Sequence, residues 1–182
     1  MAAPTRTPRG TWIQAGMRAL ADGGPDAVRI DPLAKALGVT RGGFYWHFKD
    51  RQALLQEILD AWERAATDEV LERVERRGGD PRTKARRAGA LTLSEDLLPV
   101  DLAVRDWARR DAAVARRLRR VDNRRMDYLR AQFRAIGASS DEVEARSLLA
   151  FSLLIGSHLI TAGHGSESRE QVLDRAARWL LA

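Results

Sequence analysis

The sequence predicts an all-α protein, with a small three-helix N-terminal domain followed by a larger helical one. Three observations carry this. Apolar residues recur at helical spacing, as in Leu54, Ile58, Ala61 and Ala65, with Leu55, Leu59 and Trp62 widening the face. Helix-ending glycines and helix-opening prolines recur along the chain, at Gly23-Gly24-Pro25, Gly78-Gly79-Asp80-Pro81 and Gly137. No stretch alternates apolar and polar residues for long enough to make a strand.

The elements follow in order. Thr7 is expected to cap the first helix, with Pro8 as its first helical residue. That helix carries Trp12, Ile13, Met17 and Leu20 and stops at Gly23-Gly24-Pro25. Asp31 and Pro32 fall in the first turn of the second helix, where Pro is tolerated and Asp31 reads as a cap. A short third helix is expected over 40–48, with Thr40 as its N-cap. Asp50 can cap the long helix that follows, and Gly78-Gly79-Asp80-Pro81 ends it and starts another. Asp111 can cap a helix running to Ile136, where Gly137 stops it. Ser139 with Glu142, and Ser168 with Gln171, form capping boxes. The layout is three short helices, a long connecting helix and about five more.

Residues 33–55, LAKALGVTRGGFYWHFKDRQALL, have the layout of a helix-turn-helix. Ala34 is small enough for two helices to cross closely. Gly38, four residues on, can take the positive φ that a sharp inter-helix turn needs. Phe44 and Phe48, four apart, face the core. That leaves Arg41, Gly42, Tyr45 and Trp46 on or near the outer face, although Tyr45 and Trp46 could instead pack inside. The second helix of such a motif presents its N-terminal side chains to the major groove of DNA. Arg41 is the candidate base-reader, because its planar fork matches the O6 and N7 acceptors of guanine. Gly42 and Gly43 each cost a helix about 1 kcal/mol relative to Ala, and a close approach to a duplex is a reason to accept that. Thr40 can contact a phosphate as well as cap the helix. His47, taken alone, is an ordinary surface residue.

The stretch VTRGGFYWHFKDRQALL resembles the DNA-binding segment of the tetracycline-repressor family of bacterial transcription regulators. The resemblance covers about residues 7–59; the remaining two thirds is similar only in helix layout and length. It implies that Tyr45 donates to a phosphate and that His47 and Lys49 are placed for phosphate contacts. Arg29 and Asp31 stand where the family often places Thr or Arg against DNA. Asp31 departs from that pattern, because a carboxylate repels phosphate. Arg6 and Arg9 could form a basic arm reaching the minor groove. The implied protein is a homodimeric, ligand-responsive repressor. Residues 1–52 would bind a palindromic operator in double-stranded DNA. Residues 53–182 would dimerise and hold a small-molecule effector.

The run 148–160, LLAFSLLIGSHLI, is apolar nearly all round, so this helix should be buried on more than one side. Phe151, Ser152, Ile155, Gly156 and Leu159, with Val172, Ala176 and Trp179 of the last helix, are the candidate dimer interface. Candidate effector-lining residues are Trp62, Leu91, Trp107, Phe133, Phe151 and His158, although core packing is the commoner role for each such residue. Arg125 interrupts the stripe Val114, Leu118, Val121, Leu129, Phe133, Ile136. A charge there must be paired or reach water, so it is either a structural ion pair or an anchor for an anionic effector.

Composition narrows the alternatives. The chain has 182 residues, a net charge of +6 and no cysteine, which excludes disulfides and thiolate metal sites. Its three histidines do not suggest a zinc site. Nearly all the positive charge is Arg, which suits a polyanion partner but equally suits an Arg-biased genome. There is no apolar signal region, and 148–160 is too short to span a membrane, so a cytoplasmic protein without a membrane partner is expected. No cofactor and no catalytic residue is expected: there is no nucleophile–base pair and no paired carboxylates, so a small helical enzyme ranks last. An architectural DNA binder without an effector stays open as the alternative.

Overall fold

The computed structural model describes residues 7–182, and Arg6 of the expected basic arm lies outside them. All regular elements among the described residues are helical. They are α1 (Arg9–Gly23), α2 (Ile30–Ala36), α3 (Arg41–Tyr45), α4 (Arg51–Arg64), α5 (Val70–Arg77), α6 (Pro81–Thr92), α7 (Leu98–Ala108), α8 (Ala112–Ala135), α9 (Ser140–Gly156) and α10 (Arg169–Leu180). A 3-10 turn, Pro25–Ala27, precedes α2, and a π-helical turn, Ala65–Glu69, joins α4 to α5.

Most helix ends obey their sequence signals. The Asp50 carboxylate accepts from the Ala53 amide at 2.8 Å. Asp80 accepts from the Arg82 and Thr83 amides, with Pro81 as the first helical residue. Asp111 accepts from the Ala113 and Val114 amides at 2.8 and 3.1 Å. Both capping boxes form, and Gly137 takes φ +90° just beyond α8.

Four ends differ from expectation. Pro8, not Thr7, occupies the cap position of α1, with no side-chain cap, so the helix starts one residue late. Arg29 holds the cap position of α2, and Asp31 sits inside the first turn and is no cap. Helix α3 spans five residues rather than nine. Thr40 occupies its cap position without a side-chain bond, and the chain leaves the helix after Tyr45. Two glycines in five residues weaken it. Helix α9 stops at Gly156, so Leu159 and Ile160 lie beyond it. The Arg169 guanidinium binds the carbonyls of Ser157 and Ile160 there, satisfying acceptors that a longer helix would have used internally.

The chain forms two compact units. The first comprises the described residues up to 69 together with 94–120. Helix α1 packs on α4 and α7 there, around fully buried Trp12, Leu20, Ile58, Trp62 and Val104. Gly16 of α1 lies against Ile58 of α4: a Cβ at residue 16 would come 2.4 Å from the Ile58 Cδ1 and 3.1 Å from its Cγ1. Asp101, fully buried, accepts from the Trp62 indole at 3.2 Å and from Arg105 at 2.9 Å. The start of α8 is tied to α4 by Arg117, which meets Asp60, Glu63 and Gln56, and by Arg120, which binds both oxygens of Glu63 at 2.9 and 3.0 Å.

The second unit comprises 70–93 and 121–182. Phe133 is fully buried with Ala85, Val143 and Leu181. Arg130 grips both oxygens of Glu144 at 2.7 and 2.8 Å, joining α8 to α9. Tyr128 donates to Glu75 at 2.9 Å. Burial and the Glu75 carboxylate raise the phenol pKa, so it stays a neutral donor.

The Gly16–Ile58 contact has a measurable consequence. Gly16→Val should lower stability by about 1–3 kcal/mol through overpacking. Ile58→Ala should also destabilise, yet the double variant should be more stable than the two costs summed, because the smaller side chain gives back the room. Urea unfolding of the four proteins measures this; strictly additive costs would place the crossing elsewhere.

Candidate nucleic-acid interface

The turn between α2 and α3 is made by Gly38 at φ +67°, a conformation that disfavours any side chain with a Cβ. The Gly38 amide donates to the Lys35 carbonyl at 3.1 Å, and Val39 donates to Ala34 at 3.0 Å. Leu33 and Ala34 are buried, which anchors α2. Phe44 anchors α3. It is fully buried, meets the Trp12 ring edge-on at 5.4 Å and stacks on Phe48 at 5.2 Å.

Around the inward Phe44, Thr40, Arg41, Gly42, Tyr45, Trp46 and Lys49 are exposed. Tyr45 is 49% and Trp46 70% exposed, so neither belongs to the core. No internal contact demands glycine at 42 or 43. A Cβ there would meet only the Thr40 hydroxyl at 3.6 Å and the edge of Trp12 at 4.0 Å. The bare backbone therefore leaves room on the outside rather than the inside.

Arg41 is held by its neighbours. Its Nη2 donates to the Tyr45 hydroxyl at 3.2 Å, its guanidinium lies 5.9 Å from the Tyr45 ring centre, and its Nε is 3.8 Å from the Asp31 carboxylate. His47 is half-buried, and its Nε2–H donates to the Thr7 carbonyl at 2.8 Å. One of its two ring nitrogens is therefore bound to the chain just ahead of α1, not left for a phosphate. Arg9 pairs with Glu57 at 2.7 Å and lies over the Phe48 ring, so it packs on α4 rather than forming an arm.

Residues 13–58, which contain α2, α3 and the start of α4, match the bacterial regulatory proteins of the tetR family. The likeness to the tetR family thus rests on this N-terminal segment. The HTH-type transcriptional regulator AcrR of Shigella flexneri is 36% identical over 69 residues, covering 38% of this chain and 32% of its own length. The chain thus aligns with about a third of that curated relative. Whole-chain likeness is one of fold. A transcriptional regulator from Rhodococcus sp. Rha1 superposes with a TM-score of 0.73 at 23% identity, covering 96% of both chains. A putative regulator from Saccharomonospora viridis, solved with choline, reaches a TM-score of 0.78 at 18% identity and covers 94% of both.

Sequence reasoning overlooked one residue of this TetR-type segment. Arg51, at the start of α4, donates to the Val28 carbonyl at 2.6 Å and to the Pro25 carbonyl, fastening the α1–α2 connection beneath α2. No local spacing signals a contact between residues 23 apart.

The effector candidates fall in both compact units. Trp62 and Trp107 are buried in the first, and Trp62 is fully enclosed. In the second, Phe133 and Arg125 are buried, while Leu91, Phe151 and His158 are half-buried. Of the dimer candidates, Ser152, Leu159 and Trp179 are exposed, and Phe151, Ile155, Gly156, Val172 and Ala176 are half-buried. Among the described residues no cluster of three His, Asp or Glu side chains could hold a metal.

The Nε2 of His158 is buried without a hydrogen-bond partner, and burial, with a smaller contribution from Arg169, pushes its pKa below 6.5. The unfolded chain takes up this proton near pH 6.5, before the folded chain does. Stability is therefore full above about pH 6.5 and falls as pH drops towards the lower folded-state pKa. His158→Gln should flatten the loss of melting temperature between about pH 7 and 5. A decline as steep as that of the parent protein would show that His158 titrates alike in both states.

Proposed function

We propose that the protein is a homodimeric, cytoplasmic transcription regulator of the TetR type. Residues 1–52 bind a palindromic operator, and 53–182 dimerise and enclose a small-molecule effector that releases the DNA. The observation that carries the reading is the exposed set Arg41, Tyr45, Trp46 and Lys49 on α3 and the turn after it, held in place by the buried Phe44. The two recognition helices of such a dimer must sit about 34 Å apart to enter successive major grooves. An effector acts by favouring a different spacing. The transcriptional-regulator function of the AcrR relative supports DNA binding, and the choline held by the S. viridis structure supports a ligand site. No helix of the described residues is long and apolar enough to cross a membrane.

Arg41→Ala should cost about 1–3 kcal/mol of specific binding and relax discrimination at one base pair per half-site. Lys49→Ala should instead weaken binding to all sequences and flatten its salt dependence. Gel-shift titrations at several salt concentrations separate the two. An unchanged sequence preference in Arg41→Ala would reassign the base-reader.

Leu148, Leu149, Leu159, Ile160 and Trp179 are exposed in the single chain, an apolar surface that suits a second copy. Leu159→Asp should yield monomers or insoluble protein on size exclusion, because an apolar interface does not absorb an unpaired charge. An unaltered soluble dimer would move the interface elsewhere. Arg125 is the most testable polar residue of the effector site: as an anchor for an anionic ligand, it is needed for release but not for DNA affinity.

A further inference from the structure

We propose that Asp31 is a specificity-determining residue, whose carboxylate positions the Arg41 guanidinium for base reading and penalises binding to non-cognate DNA. The inference rests on the DNA-binding reading of α3.

Asp31 lies in the first turn of α2, and its side chain is 70% exposed. It does not cap α2, since Arg29 holds that position without a side-chain bond. Its ion pair with Arg41 reaches from α2 to α3, with both groups largely exposed. Such a pair adds little to folding. A carboxylate on a face that meets phosphates is also unfavourable electrostatically. Stability therefore gives no account of Asp31, whereas control of Arg41 does.

Arg41 is a long side chain with many rotamers. Asp31 on its Nε side, the Tyr45 hydroxyl on Nη2 and the Tyr45 ring beneath restrict it from three directions. Restraint applied before binding lowers the entropy lost on binding. The fork has five N–H donors; one Nη2 hydrogen is engaged by Tyr45, and Asp31 faces the Nε side at 3.8 Å, an ion pair longer than a hydrogen bond. Nη1 and the second Nη2 hydrogen remain for a bidentate contact with guanine O6 and N7. On a wrong sequence, the natural alternative for Arg41 is a phosphate oxygen. Reaching it would leave Asp31 unpaired beside the negatively charged backbone. The repulsion thus weakens wrong complexes more than the right one, which is how a ratio of affinities is raised.

The test starts by selecting duplexes from a randomised pool with the wild-type dimer. Wild type, Asp31→Asn, Arg41→Ala and the double variant are then titrated against a selected duplex and a scrambled one of equal composition. Asp31→Asn should bind the scrambled duplex about three- to tenfold tighter without gaining on the selected one, so the specificity ratio falls. In the Arg41→Ala background the same change should leave base preference untouched, because Asp31 acts through Arg41. Equal shifts on both duplexes, or a change seen only in melting temperature, would overturn the inference while leaving DNA reading by α3 intact. A wild-type protein that enriches no duplex would overturn the DNA-binding reading and this inference with it.

Discussion

Burial of Phe44 against Trp12 is the contact on which the exposed surface of α3 depends. Five residues with two glycines do not make a helix by themselves, since nucleation is unfavourable and each glycine adds to the cost. Helix α3 exists because tertiary packing holds its one large apolar residue. Trp12 meets Phe44 edge-on, Phe48 stacks behind it, and Arg9 lies over Phe48. Arg41 and Tyr45 flank Phe44 and remain exposed. Their placement thus depends on core packing against α1, and damage to α1 would be felt in α3.

The parts of the fold legible in the sequence were those written locally. Asp50, Asp80, Asp111 and the two capping boxes each act within three residues, and each sits where its spacing placed it. Gly38 and Phe44 were legible for the same reason, as members of one short motif. Two of the misplaced ends, at α1 and α9, lie where a distant partner binds the backbone. Arg169 truncates α9 from twelve residues away, and His47 gathers in the Thr7 carbonyl from forty.

Long-range arginines were the main blind spot. The basic charge of the chain reads as a field for a polyanion, yet many of these groups are structural. Arg51 grips carbonyls, Arg117 and Arg120 grip the acids of α4, and Arg130 grips α9. The planar guanidinium suits such multidentate work better than lysine would, and the sequence uses lysine only three times. Net charge therefore overstates the cationic surface available to DNA. Gly16 escaped notice for a related reason: mid-helix, nothing in its own neighbourhood marks the Ile58 contact that requires it.

The π-helical turn, Ala65–Glu69, interrupts the α-helical repeat between α4 and α5. The buried residues Leu54, Ile58, Trp62, Ala66, Val70 and Val74 follow one another at intervals of four. In a regular α-helix each such step overshoots a full turn by about 40°, so the stripe would wind away around the rod. A wider i→i+5 turn takes in an additional residue without completing extra rotation. The Thr67 hydroxyl, bonded back to the Glu63 carbonyl at 2.7 Å, sits within it. Loss of one residue from that turn would swing every later side chain of the helix by about 100°.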